Sequence, residues 1–143
     1  MQDIYHLSRF VEAQNPVFDR VMDELRAGRK TSHWMWFIFP QLQGLGRSEM
    51  AARFAISGIA EARAYVQHDV LGPRLEGCVE TVLLHHGESA GQIFGSPDDI
   101  KFRSCLTLFR SVQPGSSLYQ QALDRFYPGE PDRKTLLLLE QPS

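Results

Sequence analysis

The 143-residue sequence contains few cysteines, and this restricts its class. There are two, Cys78 and Cys105, which lie far apart in apolar surroundings and outside any CxxC motif. Two isolated thiols do not form a disulfide framework, and a chain of this length buries enough apolar surface to fold without one. We therefore expect both thiols to be reduced and buried in the core.

Targeting segments, membrane spans and excess charge are also missing. The N-terminus has neither the basic nor the apolar region of a signal peptide, and the longest apolar run, residues 34–39, is far shorter than the roughly 20 residues of a membrane helix. A net charge of −2 gives no overall attraction to nucleic acid. No two of the five histidines have the i, i+4 spacing of a helical metal site. The expectation is a cytoplasmic protein with no nucleic-acid or membrane partner, no metal and no cofactor.

Helical periodicity is what the sequence does have. Apolar side chains recur every three or four residues through most of the chain, which is the period of an α-helix. Asn15-Pro16 and Ser96-Pro97 place a capping residue before a first-turn proline, and Gly28 is placed to end a helix. Ser48 or Arg47 is expected to open another helix, and Ser116 or Ser117 a later one. The pattern predicts an all-α fold, with residues 1–143 forming one compact domain of about seven or eight short helices.

The densest apolar segment is residues 33–40, with the sequence HWMWFIFP. Both tryptophans and four of the fifteen aromatic residues fall within six of its positions. The composition also fits a buried strand, but Thr31 or Ser32 as a cap and Pro40 as a terminator favour a two-turn helix, which is our prediction. Such a segment is either the hub of the core or the wall of a pocket.

Two basic stretches flank apolar runs. Arg26, Arg29, Lys30 and Arg47 form the first and Lys101, Arg103 and Arg110 the second, with no acid inside either. Twelve of the fifteen basic residues are arginine, which suits bidentate recognition of phosphate or carboxylate, although a GC-rich genome explains the same bias. The stretches either converge on one anionic ligand or form separate solvated faces, with Arg29 and Lys30 complementing a helix C-terminus.

The glycine-rich segment 44–48 (GLGRS) begins like a dinucleotide-binding motif but lacks the third glycine and the surrounding strand–helix unit. It is either a helix N-terminus that holds an anion through Arg47 and Ser48 or a simple connection. His33 is either a polar group of the same pocket or a core histidine satisfied by the backbone. Asp98 and Asp99 are typical of first-turn acids.

The leading hypothesis is a pocket for a small anionic ligand, phosphate-bearing or nucleotide-like, walled by the aromatic segment 33–40. Its candidate ligand-binding residues are Arg29, Lys30, His33, Trp34, Trp36, Gln41, Arg47, Ser48, Lys101 and Arg103. An enzymatic version would act on a nucleotide or ADP-ribose-like compound, with His33 or Asp99 as the acid–base group. The alternative is a protein-interaction module without a small-molecule site, in which the aromatic segment is only core.

Several segments carry a family resemblance. Residues 24–30 (ELRAGRK), 32–41 (SHWMWFIFPQ) and 44–48 (GLGRS) resemble the DUF1810 family, as do 9–14 (RFVEAQ), 71–75 (LGPRL), 93–95 (IFG), 98–99 (DD), 101–104 (KFRS) and 106–109 (LTLF). The resemblance covers nearly the whole chain and implies a mainly helical fold of unknown function, with no established catalytic residues to carry over. Some members have been labelled calpastatin, yet calpastatin-type inhibitors are long, repetitive and disordered. This sequence has Cys105-Leu106 where Ser-Met is more typical of the family, which weakens the idea that position 105 must carry a hydroxyl.

Overall fold

Ten α-helices make up the fold in the computed structural model, which describes residues 3–115 and 118–140. In chain order they are α1 (Ser8–Gln14), α2 (Phe18–Ala27), α3 (Met35–Ile38), α4 (Glu49–Arg53), α5 (Ile59–Gln67), α6 (Leu71–Leu83), α7 (Ala90–Phe94), α8 (Asp98–Val112), α9 (Leu118–Phe126) and α10 (Arg133–Glu140). The predicted all-α class is confirmed. Helices are more numerous than predicted because some are a single turn, such as α7, which a Ser89/Gln92 capping box opens.

The core is built around the two longest helices, α6 and α8. Helix α8 packs against α5, α7, α9 and α10, whereas α6 packs against α2, α5 and α9. Phe102, Cys105, Leu106 and Phe109 recur at helical spacing on α8 and are all fully buried. Cys78 is also buried, so the expected core positions of both thiols are confirmed. None of the helices in the described ranges has the length and apolar character that a bilayer span requires.

Two predicted helix ends are confirmed. Ser48 is the N-cap of α4, and its hydroxyl oxygen accepts a hydrogen bond from the backbone N–H of Ala51 at 3.0 Å. Gly28 closes α2 in the left-handed conformation, with φ of 76°, and its N–H donates to the carbonyl oxygens of Glu24 and Leu25. Local hydrogen-bonding chemistry is enough to fix these ends.

Two other predicted starts are wrong. Helix α8 begins after Pro97 without a side-chain cap from Ser96, because the backbone carbonyl of Pro97 accepts from the N–H groups of residues 100 and 101. Asn15 ends α1 instead of capping α2, which begins at Phe18 with Val17 in the cap position. The predicted cap at Ser116 or Ser117 lies outside the described residues.

The aromatic segment forms one helical turn, α3, where two were predicted. Thr31 and Ser32 do not cap it: the helix begins one residue after Trp34, which is in the N-cap position, and the Ser32 hydroxyl is directed to the Glu24 carboxylate. Most of the segment is core: Phe39 is fully buried, and its ring centroid lies 4.9 Å from that of Phe102. The exceptions within the segment are His33, which is exposed, and Trp36, which is half-buried.

Candidate functional site

A buried carboxylate anchors the start of the aromatic segment. Glu24 Oε1 accepts hydrogen bonds from the backbone N–H groups of Thr31 (2.7 Å) and Ser32 (3.0 Å) and from the indole Nε1 of Trp34 (3.0 Å). Its Oε2 accepts from the Ser32 hydroxyl at 2.5 Å. Burial raises the pKa of Glu24, but these hydrogen bonds outweigh it and hold the pKa at about 2. Sequence reasoning missed this residue, because only the fold brings its four donors together.

Trp34 is therefore structural. Its side chain is 1% exposed and its only indole donor is used by Glu24. The prediction that Trp34 lines an open pocket does not agree with this placement. A large ring this deeply buried packs the core and has no face left for a ligand.

The two basic stretches meet, but they meet on a carboxylate of the protein itself. Lys30 Nζ lies 2.8 Å from Asp98 Oδ2, and Lys101 Nζ lies 3.6 Å from Asp98 Oδ1. The same ammonium groups lie over tryptophan rings, Lys30 at 5.1 Å from the Trp34 centroid and Lys101 at 5.5 Å from the Trp36 centroid. Two cations around one anion leave a net positive charge beside Trp36.

Trp36 lines a small cleft of about 200 Å³. The lining residues are Trp36, Gln41, Leu42, Gln43, Gly44, Gly46, Ala51, Ala52, Phe54 and Ala55, and no charged side chain is among these described residues. The loop that carries Gln41 is held by backbone pairing, since Ile56 N–H donates to the Gln41 carbonyl at 2.9 Å and Gln43 N–H to the Ile56 carbonyl at 2.8 Å. We call this set of residues the Trp36 cleft.

A close approach between Gly46 and α4 shapes one side of the Trp36 cleft. A Cβ atom added at Gly46 would lie 2.5 Å from the Cβ of Ala51, which is closer than real side chains approach. Glycine is therefore needed where the loop passes the helix. The small side chains of Ala51 and Ala52 on α4, and of Ala55 just after it, line the cleft and leave the space open.

Arg47 and Ser48 follow the cleft residue Gly46 directly on the chain. Both are exposed, but the Ser48 hydroxyl oxygen already accepts from α4, a helix of only five residues. His33 is exposed as well, so the alternative interpretation of a buried core histidine is wrong. The half-buried Gln41 side chain forms no hydrogen bond with any residue in the described ranges and is open to a ligand.

Arg103 and Asp99 belong to a different contact. The Arg103 guanidinium donates to the backbone carbonyl of Glu130 at 2.7 Å and to its carboxylate at 3.3 Å, and it lies over the ring of Tyr127. The Tyr127 hydroxyl donates to the backbone carbonyl of Asp99, and burial raises the pKa of Tyr127. These groups tie α8 to the turn after α9, and neither Arg103 nor Asp99 lines the Trp36 cleft.

Arg29 is separated from Lys30 although the two are neighbours in sequence. It lines a shallow depression of about 340 Å³ at the C-terminal end of α2, together with Ala27, Gly28, Glu88 and Gln92. We call this the α2 depression. Of the predicted site residues, the fold therefore brings Lys30, Trp34, Trp36, Gln41 and Lys101 together and leaves Arg29 and Arg103 elsewhere. Within the described ranges, no three side chains of the metal-binding types cluster in a way that could hold an ion.

Comparisons with known proteins agree with this architecture. A family profile described as "Protein of unknown function (DUF1810)" matches residues 4–139. The crystal structure of the conserved hypothetical protein Rv1873 from Mycobacterium tuberculosis is similar, with a TM-score of 0.96 and 49% sequence identity over 98% of this chain and 100% of that chain. A comparison with curated proteins finds no significant match.

Proposed function

Because this chain belongs to the DUF1810 family, which is described as being of unknown function, we propose a function from the geometry of the Trp36 cleft. The cleft binds a small molecule that places a neutral planar ring among its lining residues and an anionic group beside Lys101. This narrows the general hypothesis of an anionic ligand to a ligand with two chemically different ends.

The position of Trp36 is the observation that supports this proposal most directly. Its neighbours Trp34 and Phe37 are 1% and 8% exposed, whereas Trp36 is half-buried and lines open space. The same ring contacts the Lys101 ammonium at 5.5 Å. The Trp36 ring thus lines an uncharged cleft and also lies next to a cation. Aromatic rings in such positions are frequent ligand contacts.

The size and lining of the cleft define the ring. About 200 Å³ lies below the range of roughly 300–1,000 Å³ that is typical of pockets for drug-sized ligands. The cleft therefore suits a single ring system and not a whole dinucleotide. The free amide of Gln41 supplies both a donor and an acceptor, which allows hydrogen bonding to ring nitrogens or oxygens.

The charges outside the cleft define the other end of the ligand. The Lys30–Asp98–Lys101 cluster has an excess of one positive charge, and Lys101 is the more exposed of its two cations. The exposed Arg47 follows the lining residue Gly46 directly on the chain. A carboxylate or phosphate attached to the ring would be attracted here. His33 and Asp99 are not among the lining residues, so the proposal is binding and not acid–base catalysis.

The test uses adenosine 5′-monophosphate and benzoate as probes, with adenosine and benzamide as their uncharged counterparts. Thermal shift and isothermal titration should show that each anionic probe binds at least about tenfold more tightly than its neutral counterpart, a difference of about 1.4 kcal/mol. Ala52→Leu, which fills the cleft from the exposed side of α4, should abolish binding of both probes. Lys101→Gln should remove the preference for the anion.

Matched controls are available on the same chain. Gln67→Leu places a leucine at another exposed, uncharged helical position, and Lys134→Gln removes an exposed lysine from α10; neither should change binding. Failure of both anionic probes to bind the parent protein, or unchanged binding in the Ala52→Leu variant, contradicts the proposal. Equal binding of charged and uncharged probes would contradict the proposal that an anionic group of the ligand binds beside Lys101.

The interaction module stays a prediction that no feature of the described surface favours specifically. The exposed large hydrophobic residues Ile4, Val70, Leu84, Ile100 and Leu137 lie on five separate segments of the chain. Single exposed apolar side chains are normal on a folded protein and do not by themselves indicate a partner.

A further inference from the structure

We propose that the α2 depression is a second binding site, which takes a small zwitterion carrying one ammonium and one carboxylate group, such as a free amino acid. This site is independent of the Trp36 cleft, because none of its lining residues is shared with it. The proposal rests on how opposite charges are arranged around the end of α2.

Two opposite charges line the depression without pairing with each other. Arg29 is exposed and takes part in none of the ion pairs found among residues 3–115 and 118–140. The Glu88 carboxylate has only an imidazole partner, with Oε2 lying 4.0 Å from His85 Nδ1. A guanidinium and a carboxylate that share a depression of about 340 Å³ and stay apart are complementary to a ligand with the reverse arrangement of charges.

One oxygen of the Glu88 carboxylate is packed against the end of α2. Its Oε2 is shielded from solvent and has no hydrogen-bond partner in the described part of the chain, and it rests against Gly28, where an added Cβ would lie 2.5 Å away. The side chain as a whole is still 41% exposed, and it lines the depression. Glycine at position 28 is therefore needed for both the left-handed helix end and the approach of this carboxylate.

The segment that carries Glu88 is also fixed. Arg125 donates to the backbone carbonyls of His85 (2.8 Å) and Glu88 (3.0 Å), which connects this turn to α9. His85 Nε2 lies 2.7 Å from the carbonyl oxygen of Leu25, and because a carbonyl only accepts, this nitrogen carries a proton. The turn that follows α6 is thus bonded to both α9 and α2.

The electrostatics assign each end of the ligand to its place. The C-terminal end of a helix carries partial negative charge, so an ammonium group is favoured where Ala27 and Gly28 end α2 next to Glu88. The guanidinium of Arg29 offers parallel donors to a carboxylate. A zwitterion satisfies both regions at once, whereas a simple anion or a simple cation satisfies only one.

The experiment is a titration of the full chain, labelled with ¹⁵N, with each of the twenty common amino acids at about 10 mM, a concentration that detects millimolar binding. We expect at least one to shift the amide signals of Gly28, Arg29 and Glu88. The N-acetyl and the carboxamide derivatives of that amino acid should bind at least about tenfold more weakly, because each lacks one charge.

Two variants then separate the two ends. Arg29→Gln should make the amino acid and its carboxamide bind equally, and Glu88→Gln should make the amino acid and its N-acetyl derivative bind equally. Arg133→Gln and Glu12→Gln remove exposed charges on other helices and should leave binding unchanged. Absence of shifts with every amino acid, equal binding of both derivatives to the parent protein, or shifts confined to other residues would overturn the proposal. An unchanged melting temperature confirms that each variant is folded.

Discussion

Trp34 and Trp36 are two residues apart in the same aromatic run, yet they have different roles. Trp34 is 1% exposed, and its indole N–H donates to Glu24 at 3.0 Å. Trp36 is half-buried, forms no indole hydrogen bond within the described residues, and lines a cleft of about 200 Å³. Lysines contact both rings, but Lys30 is 8% exposed and pairs closely with Asp98, whereas Lys101 pairs at a longer distance.

The comparison distinguishes polar groups that already have hydrogen-bond partners in the protein from polar groups that can still bind a ligand. Around Trp34, each Glu24 oxygen has at least one hydrogen-bond donor, so the polar groups stabilise the fold. Around Trp36, the Gln41 amide and one cation keep unused hydrogen-bonding capacity. Function is expected on the second side, because a ligand gains most where the protein has not already satisfied its own groups.

The largest effect should come from removing the Glu24 carboxylate. Glu24→Ala leaves three kinds of donor without an acceptor, those of Thr31, Ser32 and Trp34. We expect the free energy of unfolding, measured in urea, to fall by about 3 kcal/mol or more. Glu24→Gln should cost less, since its amide oxygen can replace Oε1 and its NH₂ can donate to the Ser32 hydroxyl oxygen.

A matched control lies one residue earlier on the chain. Asp23 is 78% exposed at its side chain, and Asp23→Ala should change the free energy of unfolding by less than about 0.5 kcal/mol. If Glu24→Ala lowers the free energy of unfolding no more than Asp23→Ala does, the hydrogen bonds around Trp34 do not stabilise the fold as we expect.

Acid should reduce the stabilisation that the Glu24 carboxylate provides beside Trp34, over a defined pH range. The pKa of Glu24 is lowered from 4.5 to about 2 in the folded protein, with its hydrogen bonds outweighing the effect of burial. The stabilisation from this ionised carboxylate is complete above pH 4.5 and is lost as the pH falls towards about 2. Urea unfolding at a series of pH values should show this decline in the parent protein, and a shallower one in the Glu24→Gln variant. Parallel declines in the two proteins would be inconsistent with a depressed pKa at Glu24.

Replacing each tryptophan in turn should change the free energy of unfolding by less than Glu24→Ala does, but it compares the two rings directly. Trp34→Phe removes a buried donor and part of the core, and should lower the free energy of unfolding by about 1–3 kcal/mol. Trp36→Phe should cost less than about 1 kcal/mol. Fluorescence provides a second measurement: acrylamide should quench Trp36, the tryptophan left in the Trp34→Phe variant, more strongly than Trp34 in the Trp36→Phe variant. If Trp36→Phe is the more destabilising change, or if Trp34 is quenched more strongly, then Trp36 and not Trp34 is the buried structural residue.

Sequence patterns predicted the local structure well wherever one residue and its near neighbours decide the outcome. The Ser48 cap and the left-handed Gly28 both depend on hydrogen bonds that span three or four residues. The helical period of α8 correctly indicated its buried face. The start of α8 was placed one residue early because backbone carbonyls, which any residue possesses, replaced the expected serine cap.

The candidate site was predictable only in part. Sequence reasoning selected Lys30 and Lys101 because apolar runs flank both basic stretches, and the fold does bring them together. It also grouped Arg29 with Lys30, although their side chains line different regions. Adjacent residues at a helix end diverge, and the distance between side chains there depends on what packs beside them.

The sequence by itself determined the all-α class and two helix ends, because periodicity and capping act over a few residues. Only the tertiary structure decided which tryptophan is sealed and which lines a cleft. That choice depends on Glu24, ten positions before Trp34, and on Lys101, far along the chain beside Trp36. Long-range packing brings these charges to the rings, and no local pattern encodes the distances between them.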